Sequence, residues 1–474
     1  MMGNMAPEHA RKSQPGAVPL PCGPAFARPL LTVLVAVAAA SCSTTEIGPA
    51  SARDPEFGLQ EIATAPIDGQ VDVDLRHYAD VQRRPGQDPG KAVGLVLSGG
   101  GHRAVNYCAG VMMALEEFSA GGRHTDYLAE CDYLITHSGG GFAAAAYLVT
   151  LDRFVSGRGG TDRAGYSFAT EIAAPHRGGK SLKQALDADY FASIGKGLLR
   201  DLLPGGGGRG EQFSAALDEK LLHGFRFDHV FVARSSERRP RLPYWLPYSV
   251  VNENGSIFMH APDVYRRYGI TAYPHGRSMR AVGGDYGSIP WSLALRASTS
   301  VPFLVPPCAL ESSIHPDLPY VHLVDGAMAD NVGAFPGLGV VRQDRARRKV
   351  LIVVDANVRQ ENPFARRRSA GGFAERVYDS VCNAMDANLH RYRENIVVRD
   401  IRRDGGGRIL RGTTADGVRV VFLYPELLSA EAAGGFGEIG PTLRLERGQQ
   451  DFLISAGRQL VEIQRESIAW GIGP

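Results

Sequence analysis

Three features are scarce in this sequence of 474 residues: long apolar runs, an excess of one charge, and closely spaced cysteines. No apolar run reaches the roughly 18 residues of a membrane-spanning helix, which argues against a membrane-embedded bundle. The formal net charge of +2 is no electrostatic footprint for nucleic acid. The six cysteines lack the paired short spacings of a zinc site or a dense disulfide framework. Four of them are expected to be buried free thiols: Cys108, Cys131, Cys308 and Cys382.

Core-forming residues are present in ordinary amounts. Hydrophobic residues make up 44% and charged residues 22%, which is typical of a globular protein. At roughly 150 residues per domain, the length fits about three domains, or one large domain with attachments. Glycine is in excess, with 57 of 474 residues or about 12%, against a usual value of about 7%. Functional turns are therefore expected where the glycines cluster.

The first residues have the features of an export signal. Basic residues precede an unbroken run of apolar or small residues, Leu30 to Ala40, which ends at Ala39-Ala40-Ser41-Cys42. This ending resembles a bacterial lipobox, which implies that Cys42 is the first mature residue and carries a lipid. We therefore expect secretion across the inner membrane and anchoring in the cell envelope, in the periplasm or at the outer membrane. A plain signal peptide cut nearby, or a start at Met5, remains an alternative.

A strand, a glycine turn and a helix follow one another from Val93 onward. Val93–Leu97 is a short apolar, β-branched run that predicts a buried parallel strand. Ser98–Arg103 forms the turn, and Ala104–Phe118 has apolar residues at helical spacing. Successive glycine amides before a helix N-terminus can point at one anion. The turn lacks the Lys-Ser/Thr of a P-loop and the spacing of a dinucleotide site, so an oxyanion hole is the favoured interpretation.

A second unit of the same kind begins about 35 residues later. Tyr133–Thr136 is the predicted strand, His137–Gly141 the turn, and Phe142–Thr150 an alanine-rich helix. Ser138 therefore lies at a sharp bend in front of a helix dipole, which suits a hydroxyl nucleophile. A simple helix N-cap is the alternative for an isolated unit of this kind. A third segment, Val321–Asp325, is a short apolar strand that ends in a glycine turn.

Together these segments resemble the patatin-like phospholipase family. Its oxyanion loop, Gly-Gly-Gly-x-Arg-Gly, matches residues 99–104, with Ala104 in the last position. Its nucleophile elbow, Gly-x-Ser-x-Gly, matches residues 136–140, with Thr136 in the first position. Its Asp-Gly-Gly/Ala motif matches residues 325–327 without change. Each motif alone is weak, but three in the family's order make a specific pattern.

The resemblance spans roughly Ala92 to Asn357 and implies an α/β fold with three layers, α/β/α, around a mostly parallel sheet. It implies a serine lipid acyl hydrolase that needs no metal or cofactor and acts on phospholipid or another acyl lipid, with a membrane surface as partner. Two alternatives remain. The chain is a lipid-binding protein that has lost turnover, or it is an acyltransferase that resolves the acyl-enzyme with an alcohol.

The family's roles, carried onto this sequence, make Ser138 the nucleophile and Asp325 the base. Because an aspartate of ordinary pKa, about 3.9, is a poor base for a hydroxyl, such a dyad needs a desolvated carboxylate. The oxyanion-hole residues are then Gly99, Gly100, Gly101 and Arg103. The other motif residues are Thr136, His137, Gly139 and Gly140 at the elbow, and Gly326 and Ala327 after the aspartate.

Several side chains near these motifs have competing interpretations. The β-branched Thr136 is expected to crowd the elbow and tilt Ser138. His137 is expected to line the pocket and not to act as the base, while His102 and His322 are the other candidates for a histidine base. Arg103 is expected either to orient the oxyanion loop or to meet a lipid phosphate.

The predicted organisation places a leader at residues 1–42 and a polar tether with a peripheral strand at 43–91. The catalytic domain covers 92–357, with an insertion at about 151–290, and residues 358–474 form an extension that packs on the same domain. The insertion contains a predicted hairpin at Tyr248–Met259. The extension contains a predicted helix at Phe373–Arg391, a strand at Val418–Tyr424 and a helix at Phe452–Trp470. Arg366–Arg368 either meets anionic headgroups or forms a solvated loop.

Overall fold

The computed structural model describes residues 73–75, 90–120, 123–157, 163–175, 179–188, 190, 208–231, 242–273, 277–278, 286–302, 304–314, 317, 319–357, 395–439, 444–446 and 448–473. All of them belong to one compact unit, Asp54–Pro474. The predicted leader with Cys42, most of the tether, the arginines at 366–368 and the predicted helix Phe373–Arg391 lie outside the described residues.

The strands are short, and those in the middle of the chain are rich in β-branched and aromatic residues, which favour a pleated surface. The described strands are β1 (Lys91–Leu97), β2 (Ser119–Ala120), β3 (Arg123–His124), β4 (Tyr133–Thr136), β5 (Tyr244–Val251), β6 (Ile257–Met259), β7 (Ile270–Tyr273), β8 (Arg277–Ser278), β9 (Cys308–Ser312), β10 (Tyr320–Asp325), β11 (Arg348–Val354), β12 (Arg399–Arg403), β13 (Ile409–Thr413) and β14 (Arg419–Leu423).

Most helices connect these strands and bury one face against them. The described helices are α1 (Gly101–Glu116), α2 (Ser138–Gly157), α3 (Phe168–Ala173), α4 (Leu182–Leu186), α5 (Arg209–Leu217), α6 (Pro262–Arg267), α7 (Trp291–Ser298), α8 (Ala327–Asp330), α9 (Ala334–Gln343), α10 (Ala430–Glu438), α11 (Gln449–Ile463) and α12 (Arg465–Ile472). A π-helical turn, Asp218–Leu222, extends α5. None of the described helices is long and apolar enough to cross a membrane.

One mixed sheet organises the molecule, with the order β12-β13-β14-β11-β1-β4-β5-β10-β9-β7-β8 and β6 paired to β5. The five central strands, from β14 to β5, run parallel. Both flanks are antiparallel. The central strands are continuous apolar runs because both faces are covered. Every residue of β1 is buried.

Helices cover the two faces of this sheet. On one face Val341 of α9 packs on Gly94 of β1, whose register partner is Leu351 of β11. On the other face Gly471 of α12 approaches Val350, the residue before Leu351. Successive strand residues point to opposite faces, so α9 and α12 lie on opposite sides. The predicted three-layer α/β fold with a mostly parallel sheet is confirmed, with antiparallel flanks added to its parallel centre.

The residues after Asn357 continue this same sheet. Strand β14 pairs in parallel with β11, and α11 packs along α1. The predicted helix Phe452–Trp470 is two helices, α11 and α12, which meet at Gln464. The side chain of Gln464 is buried and donates to the Phe422 carbonyl at 3.1 Å, which fixes the bend against β14.

Two element boundaries differ from those expected. Helices α1 and α2 begin at Gly101 and Ser138, so the glycine turns are themselves the first helical turns. The sequence also predicts a peripheral strand between residues 43 and 91, but the described residues 73–75 are not part of a strand. Val73 and Leu75 are buried, and the N–H groups of Asp74 and Leu75 donate to the side chains of Asp263 at 2.7 Å and Gln343 at 3.2 Å.

Other expectations from the sequence agree with the fold. Strands β5 and β6 form the hairpin expected around Asn254-Gly255. The aromatic side chains of Tyr244, Trp245 and Tyr248 on β5 are buried and belong to the core. Three of the four cysteines expected as buried free thiols are so: Cys108, Cys131 and Cys308. Cys382 lies outside the described residues.

Candidate active site

Ser138 lies at the bend between β4 and α2. Its φ is +47°, in the left-handed region that a non-glycine residue rarely adopts. Backbone strain of this kind costs of order 1–3 kcal/mol and persists where the surroundings hold it. The side chain is 6% exposed, in front of the first turn of a 20-residue helix. The bend therefore presents a hydroxyl to a nearly closed site that the helix dipole makes favourable for negative charge.

The two glycines after Ser138 are required by the close approach of the oxyanion loop. A Cβ at Gly140 would lie 2.2 Å from the Leu97 carbonyl oxygen. A Cβ at Gly139 would lie 2.4 Å from the Gly101 carbonyl oxygen. Both distances are far below van der Waals contact with backbone atoms, which cannot move away cheaply. These glycines therefore bring the elbow and the loop together.

Thr136 does not crowd the elbow as expected. It is the last residue of β4, and its hydroxyl oxygen accepts the indole N–H of Trp245 on the adjacent strand at 3.0 Å. Its φ is not positive, so the position does not require glycine. The Thr136 side chain is fully buried by this bond. The Thr136 side chain is therefore accommodated against Trp245 of the neighbouring strand.

The glycine loop at residues 98–103, which is the predicted oxyanion loop, joins β1 to α1 and turns through two glycines with positive φ, +131° at Gly100 and +61° at Gly101. Ser98 holds the start of the loop, since its hydroxyl oxygen accepts the Ala356 N–H at 2.8 Å. Among the described residues, neither the Gly100 N–H nor the Gly101 N–H has a hydrogen-bond acceptor. Two backbone donors at a helix N-terminus are thus free to receive an anionic oxygen.

Gly99, the third expected donor, is already engaged. Its N–H donates to Nε2 of His137 at 2.9 Å. The other ring nitrogen of His137, Nδ1, lies 2.7 Å from the hydroxyl of Tyr248, which itself donates to the Asp330 carbonyl at 2.6 Å. Because that hydroxyl has one proton, Nδ1 carries the proton of the ring and Nε2 accepts. The Gly99 amide is thus a fixed point of the loop, and of the three predicted donors only Gly100 and Gly101 have an N–H without an acceptor among the described residues.

His137 is not placed to act as a base. It is completely buried, and burial lowers its pKa from the usual value to about 4. Both ring nitrogens are engaged with groups other than Ser138. The expectation that His137 lines the pocket also needs correction, because the ring has no exposed surface. Its position between the elbow and Gly99 makes it a link between the nucleophile turn and the oxyanion loop.

Asp325 is the last residue of β10 and is 1% exposed. Burial raises the pKa of its carboxyl to about 7, and hydrogen bonding from the Ala327 N–H and from Ser138 acts in the opposite direction. The Ala327 N–H donates to Oδ1 at 2.9 Å. Oδ2 has no hydrogen bond of normal geometry within the described part of the chain. Asp325 and Ser138 are therefore close together, with one carboxylate oxygen left to take a proton.

Gly326 and Ala327 complete the aspartate motif. A Cβ at Gly326 would lie 2.7 Å from the ring of Tyr248 and 2.8 Å from the His137 Cβ, so the turn passes directly over the histidine link. Ala327 starts α8, and its N–H holds Asp325. Asn331 follows this helix, and its Oδ1 lies 3.4 Å from His137 Nε2. The aspartate turn and the loop thus share the same buried contacts.

Arg103 orients the loop and does not face solvent. It is 3% exposed, and its Nη1 donates to the Ile439 carbonyl at 3.0 Å. Its guanidinium carbon lies 5.4 Å from the ring centre of Phe436 in α10. Of its two expected roles, the structure therefore favours loop orientation over contact with a lipid phosphate.

The two other candidate histidines have partners elsewhere. His102 Nε2 lies 3.0 Å from the Ala188 carbonyl oxygen. His322 is half-buried on β10, and its Nδ1 lies 2.5 Å from a Glu253 carboxylate oxygen, which raises the pKa of the imidazole. Asp325 is thus the titratable side chain that accompanies Ser138 within the described residues.

A cavity of about 560 Å³ lies between α5 and α7. Its lining includes Glu211, Ser292 and Arg296 but neither Ser138 nor Asp325. In this conformation the cavity is therefore separate from the candidate site. Within the described ranges, no three His, Cys, Asp or Glu side chains form a potential metal site.

Sequence reasoning missed Tyr248 as a site residue. The Ser138–Asp325 pair, the glycine loop and the elbow were predicted from motifs, and the structure brings them together. The sequence predicts Tyr248 only as the first residue of the hairpin Tyr248–Met259. No feature of the sequence around Tyr248 indicated a hydrogen bond to His137.

No family model and no curated protein matches the chain. Solved structures of human GIVD cytosolic phospholipase A2 do match, each over 80% of this chain. The protein alone gives a TM-score of 0.36 at 14% identity over 63% of its own length. Its complex with methyl gamma-linolenyl fluorophosphonate gives 0.36 at 13% identity over 59%. The complex with this inhibitor and terbium chloride gives 0.37 at 13% over 60%. This chain thus spans less than two thirds of that protein, and TM-scores below 0.5 assign no activity to it.

Proposed function

We propose that this chain is a serine acyl hydrolase of the patatin-like type, with Ser138 as nucleophile and Asp325 as general base. One observation carries the proposal: a strained serine at a strand-to-helix bend lies beside a buried carboxyl whose pKa is raised to about 7. A carboxylate with this pKa is a much better proton acceptor near neutral pH than an ordinary aspartate. The lipid class of the substrate comes from the resemblance of the three motifs to patatin-like phospholipases.

The proposed reaction has two steps. In the first, the Ser138 Oγ attacks the ester carbonyl carbon and its proton passes to Oδ2 of Asp325. The carbonyl oxygen becomes an oxyanion that accepts the N–H groups of Gly100 and Gly101, and the alcohol leaves with the proton. In the second step water attacks the acyl carbonyl carbon and gives a proton to Asp325. The bond from this carbon to Ser138 Oγ then breaks, the acid leaves, and Asp325 returns the proton to Oγ. An alcohol in place of water would make the same chemistry an acyl transfer.

Enclosure of the site supports this division of roles. Ser138 and Asp325 are 6% and 1% exposed, so water is largely excluded from the reacting groups. Electrostatic interactions between the oxyanion and the loop amides are stronger in such surroundings than in water. The removal of one donor of this kind typically costs about 10²- to 10³-fold in rate. We further propose that lipidation of Cys42 holds the enzyme in the cell envelope, where its acyl lipid substrate lies.

The test is hydrolysis of a short-chain chromogenic ester by the full chain, together with covalent labelling by a fluorophosphonate. The Ser138→Ala variant is expected to lose roughly 10⁴-fold or more in rate and all labelling. Ser292→Ala is the matched control, because Ser292 is also 6% exposed but lies outside the site. It should keep both properties. Circular dichroism checks that each protein is folded.

Two results would count against the proposal. If Ser138→Ala retained the wild-type rate, another residue would be the nucleophile. If the folded wild-type chain were inert toward both the ester and the fluorophosphonate, the chain would instead be a lipid-binding protein without turnover.

A further inference from the structure

The C-terminal meander β12–β13–β14 gathers arginines on one face of the sheet edge. Arg402 lies directly opposite Arg411, and Arg399 lies opposite Thr413, which in turn lies opposite Arg419. Residues opposite each other in antiparallel strands share a face, as do residues two apart in one strand. The register of β12 shifts on both sides of Arg402, but pairing through Arg411 and Thr413 of β13 still puts Arg399, Arg402, Arg411 and Arg419 in one group, called here the arginine face. It contains no ion pair among the described residues.

Three of these arginines have contacts that hold them in place. The guanidinium carbons of Arg411 and Arg419 lie 4.6 and 5.2 Å from the ring centre of Trp470 in α12. Arg399 Nη2 donates to the Ala415 carbonyl at 2.6 Å. Arg402 differs, because its side chain is exposed and makes no hydrogen bond with a described residue. The exposed guanidinium of Arg402 thus lies beside three arginines whose side chains are held in place by other groups.

This arrangement is unfavourable for the isolated protein. Like charges directly opposite one another on adjacent strands destabilise a sheet. Desolvation and then the charge of Arg402 lower the pKa of Arg411, while Glu466 and Asp400 nearby act to raise it. Arg419 also lowers the pKa of Arg411, so two arginines and two carboxylates act against each other at this side chain. Local conflicts of this kind are expected where a surface has a function.

Apolar side chains accompany the arginines on the edge strand. Val398 is 55% exposed and Ile401 is 41% exposed. Strand β12 is the end of the described sheet. Charge on an edge strand alone would be explained as protection against edge-to-edge association. Exposed valine and isoleucine, each directly before an arginine in the chain, do not serve that purpose. A partner that covers the strand edge would contact both kinds of side chain.

We propose that this edge docks on an anionic phospholipid bilayer. Its arginines would bind lipid phosphates, and Val398 and Ile401 would enter the boundary between headgroups and acyl chains. Basic residues near an anionic membrane and apolar residues at its surface are the two usual sources of such binding. A nucleic acid has phosphates but offers no apolar layer, and the formal net charge of +2 does not favour it. This surface is independent of the proposed hydrolase activity.

The experiment is vesicle co-sedimentation of the full chain. All proteins carry Ser138→Ala, so that no lipid is consumed, and Cys42→Ser, so that no anchor is attached. Vesicles of phosphatidylcholine are compared with vesicles that also contain phosphatidylglycerol. We expect binding that depends on phosphatidylglycerol. It should fall about fivefold in Arg402→Gln and further in Arg402→Glu. Arg226→Glu makes the same charge change at an exposed arginine outside the meander and should bind normally.

A second measurement separates docking from a structural role. Because Arg402→Glu replaces a like-charge pair with an opposite pair, its thermal midpoint should equal or exceed that of the parent chain. Weaker lipid binding together with undiminished stability is the expected signature. Hydrolysis of a soluble ester by the otherwise wild-type Arg402→Glu chain should be unchanged, so failure of docking and failure of the hydrolase assignment are distinguishable.

Three outcomes overturn the proposal. The first is equal binding of the parent chain to both kinds of vesicle. The second is an equal loss of binding in Arg402→Glu and Arg226→Glu. The third is arginine-dependent association with duplex DNA but not with vesicles, which would assign the surface to another class of partner.

Discussion

Two buried histidines flank strand β5, and neighbouring residues of that strand bind them. The Tyr248 hydroxyl lies 2.7 Å from Nδ1 of His137. The Ser249 hydroxyl lies 2.8 Å from Nε2 of His260, whose Nδ1 lies 2.6 Å from the Tyr265 hydroxyl. Burial lowers the pKa of His137 to about 4 and that of His260 to about 3. Both rings are therefore neutral at neutral pH and fully hydrogen-bonded.

The difference lies in what the second nitrogen of each ring meets. In His137 it accepts a backbone N–H of the oxyanion loop. In His260 it meets a serine side chain in the sheet. His137 thus fixes the glycine loop beside Ser138, whereas His260 joins two elements of the fold. Burial, pKa and bond lengths alone do not distinguish the two, so substitutions must.

The largest effect is expected at Asp325, whose register partner on β5 is Ser249. Asp325→Asn removes the proposed base and should reduce the rate by roughly 10³- to 10⁴-fold. Because the base must be deprotonated, kcat/KM of the wild type should rise with pH through about 7 and then level off. Ser249→Ala changes the adjacent position in the other network and should leave this pH profile in place.

Asp325→Asn should lower the rate but raise the stability of the fold at pH values above about 7. The folded-state pKa of Asp325 is raised from an ordinary value of 3.8 to about 7, so the folded state binds the proton more tightly than the unfolded state. The stabilisation that this gives is complete below about pH 4 and is lost as pH rises through about 7. Asp325→Asn has no such loss, so its thermal midpoint should exceed that of the wild type at about pH 8. A flat activity profile through pH 7 would remove Asp325 as the base.

The next effect compares the histidines directly. His137→Gln should lower kcat by about 10- to 100-fold with little change in KM, because a displaced loop weakens the oxyanion more than the substrate. His260→Gln should lower the thermal midpoint and leave kcat near the wild-type value. Steady-state kinetics and thermal unfolding of both variants give the comparison. Equal losses of kcat in the two would mean that His137 acts only through the fold.

The sequence predicted the parts of the site that depend on local chain geometry. Glycine clusters after apolar strands located the loop and the elbow, since a turn of this kind needs particular residues at fixed spacing. The same reasoning reached Asp325 through a strand and a glycine. It did not reach Tyr248, which is 111 residues from His137 in the chain, or the bond that engages Gly99. Contacts of this kind depend on the order of strands in the sheet, and local patterns do not contain that order.

The Thr136 expectation failed for a related reason. A motif comparison treats a β-branched residue at this position as crowding, because it considers only the bend. The partner that absorbs the side chain, Trp245, comes from the neighbouring strand. The antiparallel flanks of the sheet were not predicted either. Their strands are short or alternate in polarity, and such patterns do not indicate whether a strand runs parallel or antiparallel to its neighbour.

The smallest effects are expected at the two tyrosines that contact these histidines, Tyr248 and Tyr265. Tyr248→Phe removes the acceptor of the His137 Nδ1 proton. Tyr265→Phe removes the partner of His260 Nδ1, while Ser249 still contacts Nε2. Each leaves a buried polar nitrogen without its bond, so each should lower stability by about 1–3 kcal/mol. Only Tyr248→Phe should also slow turnover, by a few-fold, because the imidazole keeps its place through Gly99 but loses its orientation. The measurement is kcat at full substrate saturation alongside urea unfolding. If Tyr265→Phe slowed turnover as much as Tyr248→Phe at equal loss of stability, the His137 link would have no special connection to the oxyanion loop.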